Sequence, residues 1–214
     1  MSKLGTLSEK YETGGRGAGT VSSGRGDAGG VSYGTYQMTS QPRGGSVATF
    51  VARSPYSMEL NGLAPGSEGF TAKWKWLALT YPDGFANAQH GYIRSNYYDP
   101  FAARIKDATG LDVSTRSFAL RQVVWSTAVQ HGPRTSVFLR ALGDEADRLT
   151  DKEIIRRVYE ERGRRKDSGA LAYFSRNSPE VQTSVAARFH REGQDALAML
   201  EAEWAALETK GVDT

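Results

Sequence analysis

The chain has 214 residues, enough for one domain with a proper core, and a formal net charge of +3. It holds no cysteine, which excludes disulfides, thiolate chemistry and Cys-ligated metal centres. No apolar run approaches the ~20 residues that span a bilayer, and residues 1–6 lack the apolar stretch of a signal peptide.

In chain order, Leu4, Leu7 and Tyr11 place apolar groups on one face of a first helix. A glycine-rich stretch follows: 11 of the 24 glycines fall between residues 14 and 45, too many for a helix. It lies between two ordered pieces, so it reads as the wall of a site rather than a tail. Val31 to Met38 is aromatic and alternating, a short strand or extended turn. Ser46 is expected to cap a helix over Val47–Ala52. Glu68–Thr80 is a stronger helix, separated by Pro82 from another over Phe85–Arg94. Pro100 opens a helix over Phe101–Thr109 that Gly110 ends. Ser114 or Thr115 begins the next, through Trp125 and closed by Gly132-Pro133. Helices over Pro133–Leu142 and Thr150–Arg165 follow, the latter opened by a capping box at Thr150-Asp151-Lys152-Glu153. Ser178-Pro179 starts the last helix, reaching Thr209. The expected fold is mainly α with a very small sheet, one domain over residues 1–214.

Helix, glycine loop and strand together suit glycoside hydrolysis. That reaction needs a sheltered carboxylic acid beside the leaving oxygen and usually a second carboxylate in a polar setting. Glu12 ends the first helix, whose negative pole favours a protonated carboxyl there. Asp27 lies among glycines and serines with no apolar neighbour and is the second carboxylate. Glu9 shares a face with Glu12 and is the fallback acid. Taken singly, Glu12 reads as a solvated helix end and Asp27 as a turn residue. Tyr33, Tyr36, Gln37 and Gln130 are candidate sugar ligands, since aromatic faces stack on pyranose rings and carboxamides both donate to and accept from hydroxyls. The alternative for the tyrosines is core packing. His131 either contacts the substrate or caps its helix. His90 is a weaker case, and His190 reads as surface. No His-x-x-x-His or Glu-x-x-His pairing occurs, which argues against a zinc enzyme. No cofactor or metal is expected.

Glu12-Thr13-Gly14-Gly15, followed by Gly34-Thr35-Tyr36-Gln37, resembles the Glu-Ser-Gly-Gly … Gly-Leu-Met-Gln pattern of lysozyme-like lytic transglycosylases. In that family the Glu is the acid and the Gly-x-x-Gln strand lines the saccharide cleft. The order acid, glycine loop, Asp27, Tyr33-Gly34 is similar to chitosanases of the same superfamily, where the Asp activates water. Ala88–Ile93 with Tyr97–Pro100, Val123–Pro133 and Tyr173–Gln182 resemble phage endolysins and the peptidoglycan-cleaving domains attached to type VI secretion spike proteins. The resemblance implies a lysozyme-like peptidoglycan hydrolase with Glu12 as acid and Asp27 as base. Thr13 replaces the family Ser, and Thr35-Tyr36 replaces Leu-Met. Those departures, with Asp27 present, favour hydrolysis over transglycosylation to an anhydro product.

The expected setting is a phage endolysin, a monomer held in the host cytoplasm and acting on the wall in the periplasm after release; a secreted effector is the alternative. The basic run Arg162 to Lys166 reads as a solvated helix end that could also attract wall polyanions. A non-catalytic nucleic-acid binder using the Gly/Arg stretch is the rival of another class; it predicts affinity falling steeply with salt. The enzyme reading expects no nucleic-acid partner. The acidic side chains of the last helix, Glu192 among them, argue against membrane binding.

Overall fold

The computed structural model describes residues 3–22, 30–41, 45–146 and 148–211. The architecture is mainly α with one two-stranded sheet, as the sequence leads one to expect. The chain divides into two compact units, Met1–Leu7 with Tyr97–Thr214, and Ser8–Asn96. Among the described residues no helix is long and apolar enough to cross a membrane.

The unit formed by Ser8–Asn96 takes in most of α1 (Thr6–Glu12), the glycine loop, and strands β1 (Ser32–Tyr33) and β2 (Met38–Thr39). Helices α2 (Ser46–Arg53), α3 (Ser57–Leu60), α4 (Glu68–Thr80) and α5 (Pro82–Ile93) complete it. The strands are antiparallel, with Ser32 opposite Thr39 and Tyr33 opposite Met38. Tyr33, Phe50, Phe70, Trp74 and Phe85 form a fully buried aromatic core of tilted and edge-on rings. The glycine loop is anchored to that core. The indole N–H of Trp74 and the amide of Gln89 both donate to the Ala18 carbonyl, at 2.8 and 3.1 Å. The Gln89 carbonyl oxygen in turn accepts from the Thr35 N–H at 3.1 Å. One buried amide thus holds both the loop after α1 and the turn between the strands. Gly34 passes so close to it, at φ +77°, that a Cβ would lie 2.3 Å from Gln89 Oε1. Only glycine fits there.

Two local expectations are corrected here. Ser46 does not cap α2; its hydroxyl accepts from the Thr39 N–H at 3.0 Å and ties the helix start to β2, while Gly45 occupies the cap position. Pro82 opens α5 at its first turn, where its missing N–H costs nothing. The four-residue α3 is too short to leave a periodic signal in the sequence.

The other unit is built on α6 (Asp99–Thr109), α7 (Phe118–His131), α8 (Val137–Leu142), α9 (Asp151–Arg162) and α10 (Pro179–Gly211). A π-helical turn, Arg94–Tyr98, joins α5 to α6. Helix α7 is buried all round through Ala119, Leu120 and Gln122–Ala128, the behaviour of a central helix without a polar face. Its N-terminus is capped by the Ser117 hydroxyl, not by Ser114 or Thr115, which form a separate 3-10 turn. The Glu203 carboxylate of α10 accepts from the N–H groups of Phe118 and Ala119, at 2.9 and 3.2 Å. It satisfies two donors that a helix start otherwise leaves open. Buried Gln122 accepts from the Gly5 N–H at 2.8 Å and donates to the Lys3 carbonyl and the Thr6 hydroxyl, both at 3.0 Å. It therefore fixes the start of α1. The capping box of α9 is present as expected: the Thr150 hydroxyl accepts from the Glu153 N–H, and the Glu153 carboxylate from the Thr150 N–H. Helix α8 begins at Val137 rather than Pro133, because Gly132–Thr135 forms a turn first.

Candidate active site

Glu12 is the last residue of α1 and is half-buried. The helix stops there for a visible reason. The Glu9 carbonyl collects the Thr13 N–H at 3.2 Å, the Thr13 hydroxyl at 3.2 Å and the Gly15 N–H at 3.4 Å. Gly14 and Gly15 then take positive φ angles of 61° and 78°, which turn the chain away. Thr13 is buried and closes the helix end with its side chain. Arg16 adds a bond from its Nε to the Thr13 carbonyl at 2.8 Å. The carboxylate of Glu12 is therefore carried on a helix terminus whose backbone is held by several independent bonds. Asp27, the expected second carboxylate, lies outside the described residues.

Glu9, one turn back, is engaged elsewhere. The hydroxyl of buried Tyr36 donates to Glu9 Oε1 at 2.9 Å and lies 2.9 Å from His90 Nδ1. Burial, with the Glu9 charge and its hydrogen bond, pushes the Tyr36 phenol well above its ordinary range, so it keeps its proton. One hydroxyl has one proton, and it goes to Glu9. With that proton directed to Glu9, the 2.9 Å contact is a hydrogen bond in the His90 tautomer that carries its proton on Nδ1.

The remaining sequence candidates fall into two groups. In the Ser8–Asn96 unit, Tyr33 is fully buried, its hydroxyl 2.7 Å from that of Thr71 and accepting from the Gly66 N–H at 3.2 Å. Its ring packs on Phe70 and Trp74 and presents no face to a sugar. Tyr36 is only 4% exposed, so it too has little ring surface to stack. Gln37 is half-exposed and sits in the left-handed region at φ 47°, its amide donating to the Gly34 carbonyl at 3.0 Å. A non-glycine residue in that conformation is uncommon, and such residues concentrate at binding and catalytic sites.

Gln130 and His131 belong to the other unit and to a different network. Gln130 Oε1 accepts from Arg162 at 2.7 Å. Arg162 is fully buried between the rings of Tyr159 and Phe189 and pairs with fully buried Glu192 at 3.1 Å. Glu192 also accepts from Ser126, from Tyr159 at 3.0 Å and from Arg188 at 3.2 Å. Burial works against the Glu192 charge, but Arg162, Arg188 and the hydroxyl donors outweigh it and hold the carboxyl below its usual range. Arg162 and Glu192, which the sequence suggests are surface charges, are thus the two ends of a buried ion pair. Nothing local in the sequence marks either as buried. His131 stacks on Phe189 and meets Tyr173 and Phe174 edge-on. Burial, then Arg162 and Arg188, pull its pKa down to about 3, so it is neutral at pH 7. Among the described residues no group of three or more His, Asp or Glu side chains is placed to hold a metal ion.

The comparisons with known proteins agree with this architecture. The chain aligns with the Bacillus subtilis MY002 chitosanase at a TM-score of 0.63 and 19% identity, covering 92% of this chain and 87% of that one. A mutant of the same chitosanase complexed with 6 GlcN gives the same TM-score at 18% identity and the same coverage. These likenesses establish the fold, which is the lysozyme-like one expected. The chain is 39% identical over 153 residues to the type VI secretion system spike protein VgrG3 of Vibrio cholerae, which covers 71% of this chain and only 15% of that much longer protein. Of the two settings that the motifs resemble, the match is to the secretion spike rather than the phage endolysin. Residues 4–193 match the family described as type VI secretion system spike protein VgrG3-like, C-terminal, and the chain belongs to that family.

Proposed function

We propose that this domain hydrolyses the β-1,4 glycan of peptidoglycan, with Glu12 as general acid and Asp27 as general base. Glu12 gives its proton to the glycosidic oxygen as the bond from that oxygen to the anomeric carbon breaks. Asp27 takes a proton from the water that attacks the same carbon, and the product carries a reducing end. The observation that supports this reading is the placement of Glu12: it is half-buried at the last position of α1, on a terminus held by bonds to the Glu9 and Thr13 carbonyls and continued by the glycine loop. The family and the chitosanase fold support a glycan substrate. Gln37 is the side chain we assign to the saccharide; Tyr33 and Tyr36 hold the wall behind it. Delivered by a secretion spike, such a domain would act on the wall of a target cell, in the periplasm.

The test is digestion of purified peptidoglycan followed by mass spectrometry of the fragments. Glu12→Gln is expected to lower turnover by about 10²–10⁴-fold, the usual contribution of a positioned acid, and Asp27→Asn comparably. Fragments with reducing ends support hydrolysis; anhydro ends would mean transglycosylation. Full activity in Glu12→Gln would sink the assignment.

A further inference from the structure

A cavity of about 420 Å³ lies between α9 and α10, and another of about 530 Å³ lies beside the glycine loop. The second begins four residues after Glu12. It is walled on one side by Arg16 and the Gly17–Gly19 backbone, and on the other by Lys75, Ala78 and Leu79 of α4 with Asp83 of α5. Lys75, Ala78 and Leu79 share one helix face by their spacing. The loop lies close against that face, a Cβ on Gly19 falling 3.1 Å from that of Ala78. Four residues of chain put the Arg16 Cα no more than about 14 Å from that of Glu12, within reach of a group attached to a sugar bound at the acid. The bond from Arg16 Nε to the Thr13 carbonyl uses one of five guanidinium donors and sets the plane of the rest.

The geometry points to this cavity as the seat of the peptide stem of peptidoglycan, making Arg16 and Lys75 specificity-determining residues. The inference rests on the peptidoglycan reading above and deepens it. A stem carries carboxylates along a short peptide with alanine methyl groups. The cavity offers two cations, one carboxylate able to meet a stem amine, and an apolar surface at Ala78 and Leu79, which is 82% exposed. The charge balance is complementary to an acidic peptide and unfavourable to a polyglucosamine, which bears an ammonium on each sugar.

The experiment compares kcat/KM on intact peptidoglycan with that on the same glycan after amidase removal of the stems, which leaves the lactyl carboxylates in place. The wild type is expected to favour the intact polymer by about three- to tenfold, the scale of two exposed ion pairs. Arg16→Gln/Lys75→Gln is expected to bring that ratio close to one. Lys75→Gln alone, on the exposed face of α4, lowers it partway and keeps the test open if replacing Arg16 disturbs the loop. Equal rates on the two substrates for the wild type, or an unchanged ratio in the variants, would overturn the stem site while leaving Glu12 chemistry intact. Cleavage of neither substrate, with cleavage of chitosan instead, would overturn the peptidoglycan reading itself.

Discussion

The Tyr36 hydroxyl has one proton and touches both Glu9 and His90, and its removal tests the arrangement around Glu9 directly. Tyr36→Phe keeps the ring and loses both hydrogen bonds in a buried place. We expect about 1–3 kcal/mol of lost stability, read from the urea midpoint. A change below about 0.5 kcal/mol would mean that the hydroxyl does not hold Glu9. Residues of this kind were only partly legible in the sequence. Glu12-Thr13-Gly14-Gly15 was legible because its signal is local: a helix end, a capping side chain and two glycines in left-handed conformations. Arg162 and Glu192 were not, because they lie thirty residues apart and each alone looks like a surface charge. Gln130 and His131 stand in the same position: their sequence context suggests a cleft, while their contacts are with Arg162 and a set of aromatic rings.

At the level of elements, what could be read was whatever the chain marks with its own neighbours. The α9 capping box and the glycine that ends α6 are such marks, and both were found where expected. Ser46 failed as a cap because a strand residue competes for its hydroxyl, and that partner belongs to the tertiary fold. The start of α7 combines both sources. Ser117→Ala should cost about 1 kcal/mol, the usual value of a lost cap. Glu203→Ala should cost a comparable amount although it lies 85 residues away, because it removes two further acceptors from the same helix start. Thermal denaturation of each variant checks both values. Gly34→Ala tests the turn between the strands. A Cβ there meets Gln89 and Trp74 at a backbone angle that disfavours alanine. We expect a loss of at least about 3 kcal/mol, combining overpacking with left-handed strain.

For the whole molecule, acid is the revealing variable. His131 is held neutral, with its pKa down at about 3 against an ordinary 6.5. An unfolded chain binds that proton near pH 6.5 and the folded chain does not, so stability is full above pH 6.5 and falls as the pH drops towards 3. The loss is about 2 kcal/mol by pH 5, or roughly 4–8 °C in melting temperature. His131→Phe should remove this limb while leaving any steeper loss nearer the carboxylate range, where protonation of Glu192 breaks its pair with Arg162. A melting temperature that stays flat between pH 7 and 5 would contradict the burial of His131. The bonds made by Gln122 bear on where the chain can be cut. Residues 3–6 find the acceptor and donor for their backbone groups more than a hundred residues further along the chain. A polypeptide started at residue 97 would carry every helix from α6 onward and still bury a carboxamide with nothing to bind. A fragment from residue 97 is therefore expected to be less stable than one that also keeps residues 3–6.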